Sequence, residues 1–301
     1  GESRTLTNED TGGRDHVSFD LGTLSETVAA AVPEREALVW GEKRFSYADL
    51  QARTRRLANH LVAAGLGCRR ERSELAGHES GQDHLALYLH NGNEYMEGML
   101  GAYKARVAPF NVNYRYVEEE LVYLLNDAKA TAIIYHDCFA ARVAAVREQV
   151  PTLRVLLQVA DDSGAELLPG AERYEEALAA ASDAPPPVEP SPDDLYILYT
   201  GGTTGMPKGV LWRQADILVA ALGGRDAATG QVLETLDAFA ERASLGGMRV
   251  LPSPPFMHGA GHWIALGAWH AGNTVVIQEH AERFDADDVI ATIEREAVNL
   301  L

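Results

Sequence analysis

The stretch HLALYLHNGNEYMEGMLGAYKARVAPF, residues 84–110, contains apolar runs typical of β-strands on either side of an apolar spacing typical of an α-helix. His84 to His90 is a short apolar run of strand length. Asn93 is predicted as the N-cap of a helix whose apolar positions share one face, at Met96, Met99, Leu100 and Tyr103. Val107 to Phe110 then predicts a second strand. A strand, a helix and a further strand in this order are typical of a parallel β-sheet covered by helices.

The same alternation continues on both sides of this stretch. Downstream, the pattern predicts a helix, a strand, a helix and a strand in turn, at residues 117–128, 132–135, 139–150 and 155–159. Upstream, Ser46 and Asp49 form a capping-box pattern, and the helix that follows is predicted to end at Gly65. We therefore predict an α/β fold with layered, mostly parallel sheets and flanking helices.

A proline-rich segment, APPPVEPSPDD at residues 184–194, marks the clearest boundary. Proline cannot continue a helix or a central strand, so we predict an extended connector. It would separate a first α/β subdomain at 17–183 from a second at 195–301. The polar residues 1–16 are predicted to be a disordered tail. A helix near 285–297 leads into the start of another strand, so we expect the second subdomain to be truncated and a carboxy-terminal domain to be absent.

A glycine- and threonine-rich segment, YTGGTTGMPKG at residues 199–209, directly follows an apolar strand. Glycines allow positive φ and close backbone approach, so successive N–H groups can surround a phosphate. Threonine hydroxyls add donors or a metal ligand, and lysine adds a mobile positive charge. The candidate phosphate-binding residues are Thr200, Gly201, Gly202, Thr203, Thr204, Gly205 and Lys208, with Thr204 also a candidate Mg²⁺ contact.

Two other interpretations of this segment were weighed. A Walker A loop requires serine or threonine after the lysine, whereas Gly209 follows Lys208 here and Pro207 precedes it. A flexible surface turn explains the glycines but not their position between an apolar strand and the Pro-Lys-Gly sequence. The segment therefore predicts a phosphate-binding loop of another class.

The composition excludes several classes of function. A formal charge of −18 in 301 residues argues against general nucleic-acid binding and against binding to an anionic membrane surface. No apolar run has the length of a membrane span, and the amino terminus lacks a signal-peptide core. Cys68 and Cys138 match no metal-binding spacing and suit a reducing, cytoplasmic location.

The segment YTGGTTGMPKG resembles the signature [YF]-T-[SG]-G-[TS]-T-G-x-P-K-G of the adenylate-forming enzymes. These include acyl-CoA synthetases, aryl-CoA ligases, luciferases and the adenylation domains of peptide synthetases. Gly201 replaces the usual serine, a variant similar to one branch of bacterial acyl-CoA synthetases. The resemblance implies the amino-terminal domain of this fold, with residues Thr200 to Lys208 around the β- and γ-phosphates of ATP. The sequence as a whole is most similar to those of actinobacterial enzymes that act on fatty acids or steroid side chains.

A second motif lies at the distance that the family implies. Pro255 to Gly261, PFMHGAG, resembles the family element P-[LM]-[FY]-H-x-x-G, with Met257 in place of the common aromatic residue. The resemblance places the acyl pocket at His258, Gly259 and Trp263. Trp263 and Trp269 would both line this pocket, but core packing explains each of them equally well.

Two further segments resemble other parts of the same family. ALVWGEKRFSYADL, residues 37–50, is similar to its amino-terminal hairpin and first helix, and VAPFNVNYRY, residues 107–116, to the element after its second helix. Arg115 in the latter is interpreted as a solvated or structural arginine rather than as an anion contact.

The resemblance implies ATP-dependent activation of a carboxylic acid to an acyl adenylate, followed by transfer to coenzyme A, with Mg²⁺ accompanying ATP. The family's Mg²⁺-binding glutamate, ribose-binding aspartate and carboxy-terminal lysine have no counterpart here, so we expect no complete catalytic or metal set. The alternatives are an aryl-CoA ligase, an adenylation domain that loads a carrier protein, or a non-catalytic nucleotide-binding module. The sequence leaves a homodimer open.

Overall fold

The computed structural model describes residues 17–201 and 205–301. The tail predicted at residues 1–16 and three of the predicted phosphate-binding residues, Gly202, Thr203 and Thr204, lie outside these ranges. The strands of the described residues are β1 Glu36–Trp40, β2 Lys43–Ser46, β3 His84–Tyr88, β4 Ala108–Asn111, β5 Ala130–His136, β6 Val155–Val159, β7 Glu172–Arg173, β8 Leu195–Thr200, β9 Lys208–Arg213, β10 Arg249–Val250 and β11 Thr274–Ile277.

The α-helices of the described residues connect these strands. They are α1 Leu21–Ala31, α2 Tyr47–Ala63, α3 Asn93–Lys104, α4 Glu118–Asp127, α5 Ala140–Val146, α6 Tyr174–Ala180, α7 Gln214–Ala221, α8 Leu236–Leu245, α9 Gly259–His270 and α10 Ala286–Glu296. None of them is long and apolar enough to cross a lipid bilayer. Both cysteines are free thiols.

The predicted α/β fold is confirmed by a five-stranded sheet in the order β4-β3-β5-β6-β7. Every neighbouring pair in this sheet is parallel. The strand predicted at residues 155–159 is β6 with the same bounds, whereas the run predicted to reach His90 ends as β3 at Tyr88. Parallel neighbours need long crossovers, and α3 and α4 supply them on either side of β4.

The capping box predicted from Ser46 and Asp49 is confirmed at the start of α2. The Ser46 hydroxyl accepts a hydrogen bond from the Asp49 backbone N–H at 3.1 Å, and the Asp49 carboxylate accepts one from the Ser46 N–H at 2.9 Å. These contacts satisfy two of the N–H groups that a helix start leaves without partners. The cap therefore fixes the point where the β1–β2 hairpin turns into α2.

The predicted N-cap at Asn93 is wrong. The cap residue of α3 is Gly92, and Asn93 is the first helical residue. The Asn93 amide instead donates to the buried Glu97 carboxylate at 2.9 Å, while the Asn93 carbonyl oxygen faces the Lys43 ammonium at 3.4 Å. A buried carboxylate four residues along the helix competes for the side chain that the local pattern assigns to the cap.

A second sheet, in the order β10-β11-β1-β2, joins the two ends of the described chain. Strand β1 is parallel to β11, with Leu38 opposite Val275, and antiparallel to β2. The proline-rich residues 184–194 contain no helix or strand, in agreement with the predicted connector. Because this sheet takes strands from both sides of the connector, the division into subdomains at 17–183 and 195–301 stays a proposal.

Buried charges hold this second sheet against α10. The Glu296 carboxylate, 3% exposed, accepts hydrogen bonds from Arg44 at 3.0 Å and from Arg249 at 2.8 Å. Arg249 also contacts Glu36 at 2.7 Å. The cluster therefore links α10, β2, β10 and β1. Arg295 is a third partner of Glu296 at 3.3 Å, so replacing this buried carboxylate weakens three arginine contacts at once.

We predict that Glu296→Gln lowers the free energy of unfolding by about 2 kcal/mol, since hydrogen bonds to charged groups contribute about 1.5–3 kcal/mol. Urea denaturation of the two proteins measures the difference. The matched control is Glu294→Gln, an exposed position on the same helix, for which we expect a change below about 0.5 kcal/mol. Equal effects of the two substitutions would contradict this role of Glu296.

Candidate functional site

The glycine-rich segment connects the two strands of a hairpin, β8 and β9. The pair Thr200 and Lys208 closes the connection at its base, directly opposite each other. Both side chains are exposed, and no ion pair involves Lys208 among residues 17–201 and 205–301. Gly205 has a φ of +125°, a conformation that side chains rarely adopt. The described part of the turn thus presents a hydroxyl, a free ammonium group and unobstructed backbone to one side.

Close packing fixes the base of this turn. A Cβ at Gly209 would lie 2.8 Å from the Tyr199 ring, so this ring can lie over Gly209 only because Gly209 has no side chain. The Tyr199 hydroxyl donates to the Asp127 carboxylate at 2.7 Å, which ties β8 to α4. Alternate residues of β8 enter the two hydrophobic cores of the protein, Tyr196 and Leu198 on one face and Ile197 on the other. The glycine-rich turn therefore follows a strand that is buried on both faces.

The second predicted motif forms the start of α9. His258 is the residue before the first helical turn, and its side chain is exposed. A Cβ at Gly259 would lie 3.2 Å from both Leu198 and Trp263, so α9 packs closely on β8 at this point. The structure thus brings His258, Gly259 and Trp263 together beside the strand that carries the glycine-rich turn.

A chain of hydrogen bonds fixes Trp263. The Trp263 indole N–H donates to the Tyr196 hydroxyl at 2.6 Å, and this hydroxyl also hydrogen-bonds to His262 Nε2. His262 Nδ1 lies 2.7 Å from the Phe256 carbonyl, which can only accept, so Nδ1 carries the proton. Burial lowers the pKa of His262 to about 4, which keeps the ring neutral and its Nε2 an acceptor. The indole, the helix start and the loop before it are therefore held as one unit.

Asn111, at the carboxyl end of β4, joins the two motifs. Its amide group donates to the Tyr199 carbonyl at 2.8 Å and to the Met257 carbonyl at 2.7 Å. Its carbonyl oxygen accepts from the Tyr199 N–H at 2.8 Å. Tyr199 precedes Thr200 and Met257 precedes His258, so one buried side chain places the strand of the glycine-rich turn beside the His258 loop. Asn111 was not among the predicted site residues, although it lies in a segment that resembles the family and is a lone polar residue at the end of an apolar strand.

Arg115 lies close enough to His258 to influence its titration. Partial burial, and then the positive charge of Arg115, hold the pKa of His258 below its ordinary value. The Arg115 side chain is exposed, and within the described ranges its guanidinium group takes part in no ion pair. This agrees with the prediction of a solvated arginine, yet it also places a second free cation on the side of the site that carries His258.

Trp269 does not belong to this site. It is 4% exposed, and its indole N–H donates to the Ala37 carbonyl of β1 at 2.6 Å. Of the two explanations for Trp269, core packing is therefore the one that the structure supports. Trp263 and Trp269 are six positions apart in α9, so they lie on different faces of the helix and contact different neighbours.

An open groove of about 730 Å³ lies next to the site, at the carboxyl ends of β3, β5 and β6. Asn91 lines this groove and accepts a hydrogen bond from the Phe256 N–H at 2.7 Å, which makes the groove a neighbour of the His258 loop. Its charged lining is mostly acidic and consists of Lys43 and the carboxylates Glu94, Asp161, Asp162, Glu279 and Glu282. Such a lining repels a polyphosphate, whereas Lys208 and Arg115 carry positive charges without ion pairs among the described residues.

The described residues do not supply a metal site. No group of three or more His, Cys, Asp or Glu side chains within residues 17–201 and 205–301 is arranged to hold a metal ion. The predicted Mg²⁺ contact, Thr204, lies outside these ranges.

A model of the family described as "AMP-binding enzyme" matches residues 25–301. The chain belongs to this family. The predicted membership of the adenylate-forming enzymes is thereby confirmed. The chain is 53% identical over 282 residues to the medium-chain acyl-CoA ligase Mig of Mycobacterium avium, covering 93% of this chain and 51% of that protein. It thus spans about half the length of the curated relatives it matches.

Other relatives and solved structures agree with this assignment. The chain is 37% identical to the medium/long-chain-fatty-acid–CoA/3-oxocholest-4-en-26-oate–CoA ligase of Mycobacterium tuberculosis, over 95% of this chain and 50% of that protein. The inhibitor-bound N-terminal domain of FACL13 from Mycobacterium tuberculosis superimposes with a TM-score of 0.72 at 25% identity, covering 93% of this chain and 61% of that one. The mycobacterial relatives agree with the predicted actinobacterial branch.

We predict that Gly261→Ala destabilises the AMP-binding chain by about 1–3 kcal/mol, the usual cost of overpacking. A Cβ at Gly261 would lie 2.4 Å from the Pro255 carbonyl oxygen and 2.6 Å from that of Pro254, both backbone atoms. Gly267→Ala on the same helix is the control, because its nearest neighbours are 3.9 Å away. Thermal denaturation should show Gly267→Ala to be neutral or stabilising, and a harmless Gly261→Ala would refute the tight turn before α9.

We also predict that Arg115→Gln raises the pKa of His258, since it removes the positive charge that disfavours the protonated ring. Proton NMR titration of the His258 ring measures the pKa in each protein. Arg154→Gln, an exposed arginine beside Gly65 at the opposite ends of the strands, is the control and should leave it unchanged. An unaltered His258 titration in Arg115→Gln would show that the two side chains do not interact.

Proposed function

We propose that this chain is the amino-terminal, ATP-binding portion of an acyl-CoA synthetase that activates fatty acids or steroid side-chain acids. In the first step a carboxylate oxygen of the acid attacks the α-phosphorus of ATP. The bond from this phosphorus to the bridging oxygen breaks, and pyrophosphate leaves. In the second step the thiolate of coenzyme A attacks the acyl carbon, the thiol proton passes to solvent, and AMP leaves with the electron pair of the broken C–O bond.

The observation that carries this proposal is the pairing of Thr200 with Lys208 at the base of the glycine-rich turn. Lys208 is exposed and pairs with no carboxylate of the described residues, so its charge is available to a phosphate group. In a protein with a formal charge of −18, an unpaired lysine beside open backbone is a specific feature. The phosphate groups of ATP would lie here, with Mg²⁺ accompanying ATP.

The side of the site around His258 fits the acyl group. Gly259 allows α9 to pack closely on β8, and the fixed indole of Trp263 adds an apolar surface next to it. Asn111 connects this surface to the phosphate loop, which suits a reaction that joins an acid to a nucleotide. The first step needs no general base, because the acid is ionised at neutral pH, so positioning and charge neutralisation dominate the catalysis.

The substrate class follows from the relatives. Their names specify medium- and long-chain fatty acids and 3-oxocholest-4-en-26-oate. We propose acids of these two kinds for the whole protein, together with ATP and coenzyme A, and a cytoplasmic location compatible with two free cysteines.

The test of this function is AMP formation by the whole protein with ATP, Mg²⁺ and coenzyme A across medium-chain, long-chain, aryl and steroid acids. Fatty or steroid acids should give AMP and acyl-CoA. A preference for aryl acids, or transfer to a carrier protein in place of coenzyme A, would favour the other members of the family. If no acid elicits AMP or pyrophosphate, the chain is a nucleotide-binding module and the proposed function is wrong.

We predict that Lys208→Gln lowers kcat/KM for ATP by about 10- to 100-fold, since a hydrogen bond to a charged phosphate is worth about 1.5–3 kcal/mol. Lys208→Arg should retain much of the activity, because the charge is kept. The matched control is Lys129→Gln, an exposed lysine after α4 that should leave the kinetics unchanged. Unchanged ATP kinetics in Lys208→Gln, measured as pyrophosphate release, would remove Lys208 from the phosphate site.

A further inference from the structure

Asn111 differs from the other buried asparagines in what it connects. Asn273 accepts from the Gly247 and Met248 N–H groups, both at 3.0 Å, and so holds a single turn. Asn93 contacts two charged side chains. The three hydrogen bonds of Asn111 all go to the backbone of two separate segments, residue 199 and residue 257, which lie 88 and 146 positions further along the chain. Asn111 is therefore a junction between segments rather than a local cap.

The geometry of this junction determines the relative position of the two segments. The N–H and the carbonyl of Tyr199 are both bonded by one planar carboxamide, which fixes β8 along its length as a neighbouring strand would. The second amide hydrogen of Asn111 then fixes the Met257 carbonyl at 2.7 Å. A planar group that satisfies three backbone groups leaves little freedom, since each misplacement would strand a buried donor or acceptor. Thr200 and His258 are the next residues in the two segments, so the distance between them depends on how the Tyr199 and Met257 backbones are held.

We propose that Asn111 is a positioning residue for the adenylation step, a role that rests on the function proposed above. It sets the distance between the phosphate loop and the His258 loop, and thereby the approach of the acid carboxylate to the α-phosphorus of ATP. Asn111 itself is 8% exposed and touches neither substrate in this scheme. Its effect passes through the backbone of Tyr199 and Met257.

This role makes a specific kinetic prediction. Each loop binds its own substrate with its own side chains, so the KM values for ATP and for the acid should change little when Asn111 is replaced. The rate of the chemical step depends on the alignment of the two reactants, and a misplacement of about 1 Å can cost on the order of 100-fold. Replacement of Asn111 should therefore lower kcat rather than raise KM.

The experiment compares Asn111→Asp and Asn111→Ala with Asn273→Ala in the whole protein. Asn111→Asp keeps the side-chain shape and the acceptor for the Tyr199 N–H, but it loses both donors and places a carboxylate against two carbonyl groups. Asn273→Ala is matched for burial and for its contacts to backbone, and it lies in the turn that precedes β11. Urea denaturation of each variant separates lost stability from lost catalysis.

We expect kcat for acid-dependent pyrophosphate release to fall about 100-fold in Asn111→Asp, with both KM values within about threefold of the original protein. Asn273→Ala should show a similar loss of stability with nearly unchanged kcat. If kcat falls no further in Asn111→Asp than in Asn273→Ala, or if only the KM for ATP rises, the positioning role is wrong.

A second measurement does not depend on activity. The Tyr199 amide hydrogen should exchange slowly with solvent in the original protein and faster in Asn111→Ala, whereas Asn273→Ala should leave its exchange unchanged. An unaltered Tyr199 exchange rate in Asn111→Ala would show that Asn111 does not hold the Tyr199 backbone, and the proposed junction would be wrong. If the original protein forms no AMP with any acid while the exchange rates behave as expected, the proposed function fails and the junction stands as a structural feature, so the two failures are distinguishable.

Discussion

The parallel pairing of β1 with β11 is the contact on which the rest of the structure depends. It brings together residues far apart in the chain, and the Thr274 hydroxyl donates to the Glu36 carbonyl at 2.8 Å across 238 positions. The Trp269 indole binds the Ala37 carbonyl beside it, and the Tyr47 hydroxyl donates to the Asn273 carbonyl at 2.7 Å. Closing so long a loop costs conformational entropy that only extensive burial repays. Once it is closed, α9 is anchored at its end, and its first residues are held against β8.

Charge is distributed so that an acidic protein can still accept a polyanion. Most buried charges are neutralised locally, as where Lys104 contacts Glu26 or where Arg53 binds Glu97 at 2.6 Å. The groove beside the site carries an excess of carboxylates. Lys208 and Arg115 are instead left without ion pairs among the described residues. Their positive charges are therefore not cancelled locally, in contrast to the buried charges and to the acidic groove.

Local sequence patterns predicted the elements well where one physical signal dominates. The apolar run at 155–159 became β6, and Ser46 with Asp49 formed the cap of α2. Asn93 was assigned wrongly because a buried partner, Glu97, outcompeted the local cap. Trp263 and Trp269 look equivalent in the sequence, and only the packing of α9 shows that Trp263 bonds to Tyr196 of β8 whereas Trp269 bonds to the backbone of β1. Asn111 escaped notice for the same reason, since its partners at 199 and 257 are distant in the chain.

The sequence by itself determined the family and the α/β character of this protein. A glycine-rich turn, a lysine and alternating apolar periods act over a few residues, and their physics is visible within a short window. Only the tertiary structure decided which residues meet. The spacing between Thr200 and His258 depends on one amide that bonds the Tyr199 and Met257 backbones, and the second sheet depends on β1 meeting β11. Contacts of this kind form between segments that share no local pattern, so folding alone brings them together.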